Sequence, residues 1–190
     1  MKIKHLPQEI SKESCNRIFR IVDLENLTKG AINVGLKSKK LSELVVKSSP
    51  LGEKQMTVVA VGILAFQLFP DILWDWKYAR FCIGRGIDGA DKELLSVLSK
   101  EPAASKSALI QIWSGDHCFA DPARRLRDLG CEVEVFAFSR SLSNDLAEAA
   151  TKVRILNDRK KPVVVPARRL SETSVRAATT KQEYEYKLVS

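Results

Sequence analysis

Several features are scarce in this sequence, and each scarcity excludes something. The four cysteines include no Cys-x-x-Cys pair, so no short-range metal or redox dithiol is encoded. Two of them lie in apolar, strand-like contexts where free thiols pack as small hydrophobes, which points to a reducing, cytoplasmic setting. The longest apolar run, Val58 to Phe66, is too short to span a bilayer, which takes about 20 residues, and Gln67, Pro70 and Asp71 soon break it. The opening Met1-Lys2-Ile3-Lys4-His5-Leu6-Pro7 carries no apolar core of a secretory signal. Aromatic residues make up 7% of the chain, and Trp74, Trp76 and Trp113 do not interleave with basic residues as a stacking platform for single strands requires. There is no internal repeat.

What is present suits one domain with tails: 190 residues, 45% hydrophobic and 28% charged, an ordinary globular balance. The formal charge of +8 is uneven. Residues 152–190 hold 10 Lys or Arg against 4 Asp or Glu, and the rest of the chain is nearly neutral. Residues 1–16 read as an N-terminal extension, 17–156 as the domain, and 157–190 as a basic tail, partly disordered or extended. Such a tail either engages phosphate backbones, anionic lipid heads or a protein partner, including a second copy of the chain, or stays solvated.

The body alternates short apolar runs with longer amphipathic ones. Arg17–Asp23, Thr57–Gly62, Tyr78–Gly84, Ser107–Trp113 and Cys131–Phe138 read as strands, several apolar on both faces, as parallel strands covered by helices are. Helical segments are expected near 29–47, 64–76, 90–100, 120–129 and 143–151. The amphipathic Lys37–Lys47 stretch packs through Leu36, Leu41, Leu44 and Val45. Phe66, Phe69, Trp74 and Trp76 form core or a protein contact. Strand, helix, strand in repetition implies right-handed crossovers and an α/β fold with a mainly parallel sheet. Val163-Val164-Val165, between Pro162 and Pro166, is either an edge strand or an extended tail.

Ligands of such sheets bind beyond the carboxyl ends of the strands, where the strand order reverses. Two strands deliver acids there: Asp23 ends the first, and Ser114-Gly115-Asp116 follows the fourth. A third source is the segment Gly84-Arg85-Gly86-Ile87-Asp88-Gly89-Ala90-Asp91, whose Asp88 and Asp91 are either helix caps or members of the same cluster. Converging carboxylates repel one another unless a cation joins them, and oxygen ligands suit Mg²⁺ or Mn²⁺. Such a cation promotes phosphodiester hydrolysis. Gly84, Gly86 and Gly89 also spell G-x-G-x-x-G, a nucleotide-binding alternative, although Asp88 there aims negative charge at an incoming pyrophosphate. His117 reads as solvated, and Cys118 has no base partner that would make it a nucleophile.

Five segments in order, Ile21-Val22-Asp23-Leu24-Glu25-Asn26, Gly89-Ala90-Asp91-Lys92-Glu93-Leu94, Ser114-Gly115-Asp116-His117-Cys118-Phe119, Arg124-Arg125-Leu126-Arg127-Asp128-Leu129-Gly130 and Ser141-Leu142-Ser143-Asn144-Asp145-Leu146-Ala147, resemble a NYN domain, a branch of the PIN-like nucleases. The resemblance covers about residues 17–156. It implies a PIN-like three-layer α/β/α sandwich and a metal-dependent ribonuclease, with Asp23, Asp91 and Asp116 as catalytic and metal-binding acids and Asn26 beside them. Two positions depart from the family pattern: Cys118 and Val97 stand where further acids are common. Asp88 or Asp121 are the acids available to compensate, and Ser114 is a supporting residue.

Lys29, Arg85, Arg124, Arg125 and Arg127 are the candidate RNA contacts. A catalytically weakened, RNA-binding or regulatory module is the alternative favoured by Cys118, Val97 and the tail.

Overall fold

The computed structural model describes residues 18–33, 35, 37–48, 55–63, 67, 79–100, 109–156 and 163–166. In chain order these form β1 (Ile18–Asp23), α1 (Leu24–Asn33), α2 (Ser38–Ser48), β2 (Gln55–Val61), β3 (Arg80–Ile83), α3 (Gly89–Lys100) and β4 (Leu109–Trp113). There follow a 3₁₀ turn (His117–Phe119), α4 (Ala120–Asp128), β5 (Glu132–Phe138), α5 (Asn144–Ala149), β6 (Lys152–Leu156) and β7 (Val163–Pro166).

The strands lie in the order β3-β2-β1-β4-β5-β6-β7. All neighbours from β3 to β6 are parallel, and β7 closes one edge antiparallel to β6. Alternation along each strand sends side chains to two cores. Phe19 and Ile21 of β1, with Ile110 and Ile112 of β4, meet Leu94, Leu98, Ala123 and Leu126 from α3 and α4. Val22 and Trp113, one residue out of phase, meet Leu27, Ala31, Leu41 and Val45 from α1 and α2. Helices therefore cover both faces of the sheet in three layers, and the chain is an α/β/α sandwich.

The strand order reverses between β1 and β4. One polar row crosses the sheet below this point: Arg20, fully buried, donates from Nε to Gln111 at 2.9 Å and from Nη2 to Gln55 at 2.9 Å. Burial pushes its guanidinium down to about 10. Glu134 takes both Arg154 contacts, at 3.1 and 2.8 Å. Above the row, Trp113 stacks on Phe136 with ring centroids 4.2 Å apart. This stack braces the last residue of β4, immediately before Ser114.

Three local features differ from the periodicity reading. The expected helix over 29–47 is two helices, with Gly35 between them at φ 72°, a left-handed position that favours glycine after a helix end. β6 was not expected, because Lys152 and Arg154 interrupt its apolar pattern; they pair diagonally with Glu132 and Glu134 on β5, where ion pairs take the place of apolar contacts. β7 is the edge strand of the two options for residues 163–166, so the sheet continues past position 156. The expected helix at 64–76, the aromatics Phe66, Phe69, Trp74 and Trp76, the extension 1–16 and the tail apart from β7 lie outside the described residues, residue 67 excepted. Among the described residues no helix is long and apolar enough to cross a membrane.

Candidate functional site

The register of β1 against β4 builds the site. Val22 sits opposite Trp113, so the next pair out is Asp23 and Ser114, both pointing to the face that α3 and α4 cover. Ser114 Oγ donates to Asp23 Oδ2 at 2.8 Å. The other oxygen, Oδ1, accepts from Asn26 N at 3.0 Å, which caps the first turn of α1. Asn26 Oδ1 in turn accepts from Gly115 N at 2.9 Å. Ser114 Oγ also accepts from Asp116 N at 3.1 Å, and Asp116 Oδ1 accepts from Cys118 N at 3.0 Å. These bonds tie the end of β1 to the turn after β4 and aim Asp116.

Gly115 is required at this turn by close approach. The Ser141 carbonyl lies where a Cβ would be, and Ser143 N donates to Gly115 O at 2.8 Å. The loop after β5 is thus seated directly on the site. From the other side comes Asp91 in the first turn of α3. The ligating atoms of Asp91, Asp116 and Cys118 all lie within 4.8 Å of one another.

This grouping holds two of the three expected carboxylates, Asp91 and Asp116. Among the described residues Asp23 is not part of the close group; its side chain is buried and both oxygens already accept hydrogen bonds from Asn26 and Ser114. Cys118 occupies the third place. Val97 is buried in the core between α3 and the sheet. An acid there would face apolar side chains rather than this cluster.

Unneutralised charge marks the cluster. Burial, and then the charges of Asp23, Asp116, Asp88 and Glu25, push the Asp91 carboxyl up to about 6. Burial also raises Asp23, against the opposing hydrogen bonds from Asn26 and Ser114. The Cys118 thiol is held well above the ordinary thiol range by burial and by the charges of Asp116 and Asp91, the opposite of what activates a cysteine nucleophile. Glu25 acts on both Asp23 and Asp91 and was not singled out in the sequence. Its signal was visible in Asp23-Leu24-Glu25, but its position depends on Gly62: the Glu25 carboxylate fills the space beside that glycine at the end of β2.

The other expected residues are distributed unevenly. Asp88 is exposed, at φ 55°, and acts on Asp91 through its charge. Asp121 pairs with Arg124 at 2.6 Å on the exposed side of α4. Arg127 donates to the Glu148 carbonyl at 3.0 Å, so two of the three arginines on α4 are engaged locally. Arg125, Lys29 and Arg85 are exposed, as is His117. Gly84 and Gly89 pack on each other and on the Ala90 amide, so close packing of the loop accounts for these two members of the G-x-G-x-x-G spelling without a nucleotide.

No family model and no curated protein matches the chain. The fold is similar to the crystal structure of a protein of unknown function from Vibrio parahaemolyticus, with 13% sequence identity, a TM-score of 0.55, and coverage of 80% of this chain and 98% of that one.

Proposed function

We propose that this chain is a ribonuclease dependent on Mg²⁺ or Mn²⁺, working in the cytoplasm and of the NYN type its sequence resembles. The observation that carries the reading is the meeting of Asp91, Asp116 and Cys118 within 4.8 Å at the reversal point of a parallel sheet, where such folds bind ligands. The donor set fits a divalent cation: two carboxylates supply hard oxygens, and burial together with the neighbouring acids holds Asp91 up to about 6. A bound cation would neutralise a phosphodiester and lower the pKa of water.

Asp91 and Asp116 would hold the cation, with the Cys118 sulfur beside them. Asp23, fastened by Ser114 and Asn26, keeps the turn after β4 in place and adds negative charge behind it. Asp116 carries the most direct role, since its Oδ1 is oriented by the Cys118 amide while its side chain remains partly open to solvent. A second reading, an RNA-binding module that does not cut, draws on the same residue, since Cys118 adds no carboxylate to the group.

The test is cleavage of a single-stranded RNA by purified protein in Mn²⁺, in Mg²⁺ and in EDTA, with Asp116→Asn beside the wild type. Asp116→Asn preserves size and removes the charge, so cutting should stop while RNA binding persists. Cleavage that continues in EDTA, or an unchanged rate in Asp116→Asn, refutes the mechanism. Metal-independent RNA binding with no cutting by the wild type selects the second reading.

A further inference from the structure

An acidic cluster repels the phosphates on either side of the one it acts upon, so an RNA ligand needs cations flanking it. Lys92 donates to the Ile87 carbonyl, and Arg124 and Arg127 are occupied on α4. Arg85 and Arg140, on the loops after β3 and β5, are both exposed, and neither guanidinium is engaged by another described residue. Arg140 is held at a rigid place: Ser141 N and Leu142 N both donate to the Phe138 carbonyl, at 3.0 and 3.1 Å, closing a tight turn with Arg140 at its tip. The same turn rests on Gly115, the neighbour of Asp116, through the Ser143–Gly115 bond.

The order β3-β2-β1-β4-β5 places these two loops four strand spacings apart, about 19 Å, with the acids from the ends of β1 and β4 between them. Ile83 and Ile87, 66% and 85% exposed, bracket Arg85. Apolar surface around a cation suits unpaired bases, which present their faces, rather than a duplex, which hides them.

We propose that Arg85 and Arg140 are two phosphate clamps for an unpaired RNA strand that crosses the carboxyl edge of the sheet from the β3 loop to the β5 loop, over the acid cluster; this rests on the ribonuclease reading. The strand's phosphates meet one arginine on each side of the cluster, and its bases cover Ile83 and Ile87 on the β3 side.

Fluorescence anisotropy of labelled oligouridylates of increasing length, with Ca²⁺ replacing Mn²⁺, tests this. Binding should tighten with length up to about six nucleotides, within the usual range of single-strand sites, and a duplex of equal length should bind more weakly. Arg85→Ala and Arg140→Ala should each weaken binding by roughly 5-fold and lower the slope of log affinity against log salt by about 0.7, the value for one phosphate contact on a single strand. The double variant should lose both. Affinity that saturates at two nucleotides, an equally bound duplex, or an Arg140→Ala variant that binds like wild type overturns the two-clamp path. A wild type that cuts RNA in Mn²⁺ while Arg140→Ala binds unchanged leaves the ribonuclease reading standing. A wild type that neither cuts nor binds RNA overturns both.

Discussion

The hydroxyl of Ser114 donates to Asp23 Oδ2 at 2.8 Å, joining residues 91 positions apart. The two are neighbours because β1 and β4 pair in a register that ends with Val22 opposite Trp113, and because alternation then turns both side chains to the same face. The bond satisfies one oxygen of a buried carboxylate whose other oxygen caps α1. Ser114→Ala should leave that oxygen without a donor, at a cost of about 1–3 kcal/mol, and should lower Tm by roughly 2–4 °C for each kcal/mol. In an Asp23→Asn background the same serine change should cost less, because no charge is left stranded. Calorimetry of the four proteins checks this; equal losses in both backgrounds would mean the bond contributes nothing.

Asp91 predicts how stability depends on pH without a cation. Its carboxyl is raised to about 6 in the fold and returns to about 3.9 when unfolded. The folded chain therefore binds this proton more tightly. The group's contribution is complete below about pH 4 and is lost as pH rises through 6. The full shift corresponds to about 3 kcal/mol, but Asp91 is only partly buried, and screening by solvent leaves about 1 kcal/mol. In EDTA, Asp91→Asn should exceed wild type in stability at pH 7 by that amount and should show no advantage at pH 4. Denaturant midpoints at the two pH values decide it, and a pH-independent difference would contradict the raised carboxyl.

Cys118 should set the choice of cation. Replacing its thiol with a carboxylate, Cys118→Asp, supplies a hard oxygen beside Asp91 and Asp116. Mg²⁺ affinity should rise at least about 10-fold, while the preference for Mn²⁺ over Mg²⁺ shrinks, as expected when a soft donor gives way to a hard one. Calorimetric titration with each ion measures both quantities. Equal affinities in the two proteins would remove Cys118 from the cation's surroundings.

The β7 strand predicts where the domain can be cut. A chain ending at residue 156 would lose β7 and leave the backbone of β6 unpaired along the edge, the arrangement that invites edge-to-edge aggregation. A chain ending at residue 170 keeps the pairing. The longer truncation should remain monodisperse in size-exclusion chromatography, and the shorter should aggregate. Similar behaviour of the two would show that β7 does not protect the sheet.

The fold class was legible from the sequence because its cause is local. Apolar runs such as Ile18–Val22 and Val133–Phe138 with helical periods between them allow few arrangements other than a parallel sheet covered on both faces. Asp23, Asp91 and Asp116 could be picked out for the same reason, since each stands where a strand ends or a helix begins. β6 escaped this kind of reading because Lys152 and Arg154 are matched only by Glu132 and Glu134, which belong to another strand.

The composition of the site was decided by the tertiary structure alone. Which acids surround a point depends on strand register and on which glycines let other groups approach, and no local pattern records either. The β1–β4 register gave Asp23 to Ser114 and Asn26 and so withdrew it from the close group. The turn built on Gly115 brought in Cys118, and the space beside Gly62 admitted Glu25. Residue types along the chain were enough to supply the charges; only the packing determined which of them face one another.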